Sequence, residues 1–188
     1  MKRILFLAIV ITSVLGCTTK NYKTAHSSAE SKTKAEVTID KIPIPDDLVK
    51  LITDNLEVYT IPTKEDYDPK LISFIKTIPY PYFCKNDFDG NGEVDYAFLL
   101  KSKDKSLTFF IFNCIKTNYH TINMGSIPMG ITENGLATII SVKEKGDWVA
   151  FDTTISVPNG GISLELLEES RTHSYYWDGL KYQRFFAD

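Results

Sequence analysis

Residues that commonly carry chemistry are scarce in this chain. It has three cysteines, three histidines and three methionines among 188 residues. No histidine stands near a cysteine or a second histidine at a metal-binding spacing, which argues against zinc and against Cys–His nucleophilic catalysis. No segment repeats at a fixed period, so solenoid and propeller arrays have no sequence support. Only the first residues form a long apolar run. Positive charge is also in short supply, with 21 Lys and Arg against 24 Asp and Glu. Without a basic stripe the chain lacks the electrostatic footprint of a nucleic-acid-binding protein. The remaining composition, 43% hydrophobic and 24% charged residues, is enough for one ordinary folded domain.

The most informative stretch is Lys85 to Leu100, K-N-D-F-D-G-N-G-E-V-D-Y-A-F-L-L. Asp87, Asp89, Asn91 and Asp95 fall at positions 1, 3, 5 and 9, with Gly90 and Gly92 between them. A hard cation such as calcium takes about six to eight oxygen ligands, and a loop supplies them by folding tightly around the ion. Alternate side chains at the start of such a loop turn inward, and a glycine at position 6 permits the sharp bend. Glu93 at position 7 would add its backbone carbonyl, and Asp95 would close the cage. The other reading is a glycine-rich turn whose Asp and Asn side chains bond only their own backbone. Three converging carboxylates repel one another unless a cation lies among them, and this favours the calcium reading. An EF-hand fits poorly, because position 12 is Phe98 and a strand pattern follows instead of a helix.

The pattern D-x-D-x-N-G-x-x-D followed by Y-A-F-L-L resembles the calcium loop of FG-GAP/VCBS-type repeats, as in integrin-like propeller blades. The resemblance covers about fifteen residues. It implies calcium held between two strands of one sheet by Asp87, Asp89, Asn91 and Asp95. Propeller members of that family carry several copies, and this chain carries one.

Met1 to Cys17 reads as a secretory signal. Lys2 and Arg3 precede an apolar segment too short for a comfortable membrane span, which ends in V-L-G-C. That ending resembles the lipobox of bacterial lipoproteins, which implies removal of residues 1–16 and lipidation of Cys17. Thr18 is not the aspartate that retains enteric lipoproteins in the inner membrane, so the expected location is the outer membrane, on its periplasmic or surface face. Removing Lys2 and Arg3 from the 21 basic residues leaves 19 against 24 acidic ones. Residues 17–36 are polar and lack large aliphatic side chains, which predicts a flexible tether spanning roughly 25 Å on average.

The folded domain is expected over 37–188, in the α+β class. Two short N-terminal helices are predicted, one from Pro45-Asp46-Asp47 onward and one over Pro69 to Ile78 with Asp68 as its cap. Seven or eight strands of a mostly antiparallel sheet follow. They run over Tyr82–Cys84, Val94–Lys101, Leu107–Ile115, Tyr119–Met124, Ala137–Val142, Trp148–Ile155, Ile162–Leu167, and a terminal hairpin of Thr172–Trp177 and Leu180–Phe186 turning at Asp178-Gly179. Cys84 and Cys114 are an even pair in an oxidising compartment, either a disulfide or two buried thiols. Ser73-Phe74-Ile75-Lys76 spells S-x-x-K, but the companion S-D-N and K-T-G motifs are absent.

These features predict a non-enzymatic, lipid-anchored envelope protein with a calcium-stabilised β-rich domain, serving as a binding or structural module. The alternative is a periplasmic inhibitor or immunity protein using the aromatic terminal hairpin or the G-S-I-P-M-G loop. The expected partners are the membrane, through the lipid, and a protein or glycan; the aromatic hairpin suits sugar stacking as well as core packing.

Overall fold

A computed structural model describes residues 43–151 and 153–186. The signal segment, Cys17 and the tether lie outside the described residues. The described residues fall in the second of two units, Ile42–Asp188, and the acidic loop belongs to it.

This second unit is mostly β, with antiparallel sheets and few helices. Helix α1 (Asp46–Asn55) starts after Pro45, carries Asp46 and Asp47 in its first turn, and buries Leu48 and Ile52. The predicted second helix is shorter than its apolar pattern suggested. Asp68 does cap it, accepting from the Lys70 amide at 2.9 Å, but a 3₁₀ turn over Pro69–Leu71 leads into a single α-turn, α2 (Ile72–Ile75). Pro79 and Pro81 follow closely and cannot continue a helix. Ser73 and Lys76 of the S-x-x-K sequence are both exposed here.

The single expected sheet is divided. One sheet has β1 (Tyr59–Thr60), β3 (Asp95–Ser102), β4 (Leu107–Ile115) and β5 (Asn118–Ser126) in that order, with β2 (Phe83–Asn86) also pairing β3. A second sheet runs β13 (Tyr182–Phe186), β12 (Arg171–Trp177), β11 (Gly161–Leu166), β8 (Thr138–Lys143). Two hairpins stand apart: β6 (Ile131–Thr132) with β7 (Gly135–Leu136), and β9 (Gly146–Ala150) with β10 (Thr153–Val157). The β9–β10 hairpin replaces one predicted strand over Trp148–Ile155. No glycine or proline marks its turn; Phe151 takes the positive φ of 52° itself.

Strands β3 and β4 form the middle of the core, which explains their uninterrupted apolar sequences. Phe98, Leu99, Leu100, Phe110, Ile111 and Phe112 are all essentially inaccessible to solvent. One face of this pair meets the second sheet, where Phe109 lies 5.1 Å from the Tyr175 ring. The other face carries Phe110, packed on Tyr59 at 5.0 Å. A smaller cluster of Trp148, Ala150, Val157 and Phe185 joins the β9–β10 hairpin to the second sheet.

Of the two alternatives for Cys84 and Cys114, the structure has free thiols, Cys84 buried and Cys114 half-buried. Cys84 pairs with Ala97 on β3, and Ala97 pairs with Ile111 on β4. The two cysteines are thus two strands apart and three residues out of register. At about 4.8 Å per strand and 3.3 Å per residue they are roughly 14 Å apart, about twice the longest Cα separation a disulfide spans.

Candidate metal centre

The acidic loop, residues 87–94, joins β2 to β3, whose first residue is Asp95. Asn86 and Asp95 are directly paired across the two strands, so the loop closes on itself over one strand spacing. Gly90 and Gly92 have φ of +79° and +88°, which a side chain would oppose by roughly 1–2 kcal/mol each. Gly90 has a second constraint. A Cβ there would fall 2.3 Å from Nδ2 of Asn159 in the turn before β11. The loop is therefore pressed against that turn, and Asn86 Nδ2 donates to the Asn159 carbonyl beside it at 2.8 Å.

Asp87, Asp89 and Asp95 converge. One oxygen from each lies within 4.8 Å of those of the other two, with Asp95 buried and the others half-buried, an arrangement that can hold a metal ion. Backbone amides fix each carboxylate. Asp87 accepts from Gly90 and Gly92 at 2.8 and 2.9 Å. Asp89 accepts from the Asn91 amide at 3.1 Å. Asp95 accepts from Phe88 and Asp89 on one oxygen, and from Cys114 of β4 on the other at 2.8 Å. Among the described residues, the ion pairs Lys101–Asp66 and Arg171–Glu169 lie elsewhere. Burial pushes the Asp95 carboxyl up to about 6, and the charge of Asp89 pushes the same way, against the amides that stabilise its anion.

The other two predicted ligand positions act differently in this structure. Asn91 bridges, donating through Nδ2 to Asp89 at 3.2 Å and to the Cys114 carbonyl at 2.8 Å. Its Oδ1 accepts from the Glu93 amide at 2.7 Å. The Glu93 side chain reaches the β4–β5 turn, where it accepts weakly from the Thr117 amide at 3.5 Å. It also approaches the Cys114 thiol, which burial and then Glu93 push up to about 11.

Two residues missed in the sequence complete the arrangement. Asn113 is 3% exposed, and its Nδ2 donates to Asp89 at 3.0 Å. Its Oδ1 accepts from the Tyr182 hydroxyl of β13 at 2.8 Å. The available signal was a polar amide inside the apolar run L-T-F-F-I-F-N-C-I. A buried amide needs partners, and here they lie on the loop and on the second sheet. The acidic loop is thus hydrogen-bonded to β4 of the first sheet, and Asn113 links it onward to Tyr182 of the second.

No protein-family profile, curated protein or solved structure matches this chain. Among the described residues no helix is long and apolar enough to cross a membrane.

Proposed function

We propose that this chain is a non-enzymatic, lipid-anchored protein of the bacterial cell envelope whose β-rich domain is stabilised by calcium bound in the loop 87–95, as in FG-GAP/VCBS-type loops. The observation that carries the reading is the convergence of Asp87, Asp89 and Asp95 within 4.8 Å. Hydrogen bonds alone would account for each carboxylate singly, as in an ordinary Asx turn. They do not account for placing a buried Asp95 beside Asp89, where its own charge is disfavoured. A divalent cation reverses that penalty. Oxygen-only donors favour calcium or magnesium over softer metals, and an irregular loop suits the flexible shell of calcium better than a strict octahedron.

In this role the ion joins β2 and β3 to the end of β4, and through Asn113 and Tyr182 to β13. Lipidation at Cys17 would hold the domain at the outer membrane, with a protein or glycan as its partner. Terbium luminescence sensitised by nearby aromatic rings tests the metal. Terbium should bind, and calcium should displace it at far lower concentration than magnesium does. Absence of a terbium signal, or equal displacement by magnesium, would contradict the calcium assignment. Metabolic labelling with palmitate tests the anchor, and Cys17→Ser should abolish it.

A second reading, an inhibitor or immunity protein, draws support from two exposed apolar tips. Leu180 in the terminal hairpin is 88% exposed and Met129 in the G-S-I-P-M-G loop is 67% exposed. Loss of a purified partner enzyme's inhibition on Leu180→Asp would favour it.

A further inference from the structure

Beside the acidic loop an open cleft of about 670 Å³ runs between the end of β12, the turn before β11 and strand β10. Its size is within the roughly 300–1,000 Å³ usual for small-molecule sites. Asp89 stands in its wall together with Ser156, Asn159, Tyr176, Trp177 and Asp178. We propose that this cleft binds a neutral saccharide, with the cation-ordered loop forming one side of the site; the inference rests on the calcium reading.

The lining decides the ligand class by elimination. It contains no lysine or arginine, so phosphate, sulfate and other anions find no cationic side chain to pair with. For an organic cation, both carboxylates are already hydrogen-bonded within the fold. Asp178 already accepts from the Leu180 and Lys181 amides, both at 2.9 Å, and from Gln183 Nε2 at 2.7 Å, which hold its carboxyl down to about 2. Asp89 accepts from Asn91 and Asn113, and in the calcium reading it faces the metal. The cleft still offers a hydroxyl from Ser156, an amide from Asn159, and two half-buried aromatic side chains. A pyranose matches that set: its C–H face packs on an aromatic ring, and its hydroxyls both donate and accept.

The walls are also held in place. Trp177 packs edge-on against Tyr182 with centroids 5.0 Å apart, and Tyr182 is hydrogen-bonded through Asn113 to Asp89. Tyr176 packs edge-on against Trp148 at 6.1 Å. A cation that orders Asp89 therefore orders the Trp177 wall through two hydrogen bonds and one ring contact.

The test uses the full-length protein in a detergent without a sugar headgroup. It is passed over immobilised neutral oligosaccharides, sulfated oligosaccharides and a lysine-rich peptide, in calcium and in EGTA. Melting temperature is measured in parallel. Saturable retention is expected on at least one neutral oligosaccharide, weakened tenfold or more by EGTA and by Trp177→Ala. Ser156→Lys, an exposed change that narrows the cleft without touching the core, should do the same while leaving the calcium-induced melting shift intact. No neutral saccharide retained, with that shift present, would overturn the saccharide site and leave the calcium reading standing. Retention of only the sulfated sugar or the peptide would also overturn it. A missing melting shift would instead overturn the calcium reading on which the site rests.

Discussion

Asp95 is the residue on which the loop depends, because it is buried, hydrogen-bonded from three amides and still uncomfortable as an anion. Its carboxyl is raised to about 6 by burial and by Asp89, above the usual aspartate value of about 3.9 in an unfolded chain. The metal-free fold thus binds more protons than the unfolded chain between those two values. The stabilisation from this group is complete at low pH and is lost as pH rises through about 6. The metal-free protein should therefore lose melting temperature from about pH 4 to just above pH 6, and Asp95→Asn should flatten that part of the profile. Calcium should act in the opposite sense, its stabilising effect growing over the same interval as protons cease to compete. Tyr182→Phe removes one hydrogen bond and leaves the buried Asn113 oxygen unpartnered. Chemical denaturation should show a loss of about 1–3 kcal/mol, together with weaker calcium binding, since Asn113 also positions Asp89.

Close approach sets the tolerance of each element to change. Gly90→Ala places a Cβ at 2.3 Å from an amide that belongs to a side chain, and adds the left-handed φ penalty. Gly161→Ala, at the start of β11, meets the Tyr175 carbonyl at 2.2 Å and Trp148 at 2.5 Å. Backbone cannot swing aside as Asn159 can, so Gly161→Ala should cost more than Gly90→Ala, with the overpacking part of the former alone about 1–3 kcal/mol or greater. Equilibrium urea unfolding of the two variants would order them. The same contrast explains which elements the sequence made legible. The convergence of Asp87, Asp89 and Asp95 was legible because acidic side chains and glycines alternate there at a distinctive spacing, and the terminal hairpin because Asp178 and Gly179 are turn-specific. The split into two sheets was not, since β3, β4, β8 and β11 all bury residues on both faces and carry no alternation to assign them. The turn at Phe151 was equally hidden, being made by a residue with no turn preference. Asn113 and Tyr182 could not be paired from sequence because 69 positions separate them.

Within the described residues two sheets contribute to one apolar core, and the acidic loop is tied to both through Asn113 and Tyr182. No covalent link reinforces it among the described residues. A reducing agent should leave the melting temperature unchanged, and a drop would contradict the free state of Cys84 and Cys114. On the proposed function, the remaining source of reinforcement is a cation in the loop 87–95. Loops of this kind in extracellular modules bind calcium with Kd of about 10⁻⁴–10⁻³ M, so 1 mM calcium should add about 0.4–1.4 kcal/mol by mass action. For a domain of this size that amounts to roughly 1–6 °C. The deciding measurement is thermal unfolding in millimolar calcium and in excess EGTA, with Asp89→Ala measured alongside. A rise of several degrees that calcium produces and Asp89→Ala abolishes is the predicted result. Superimposable curves for the unsubstituted protein in the two conditions would contradict it, and would reduce Asp87 to Asp95 to a turn held by its own amides.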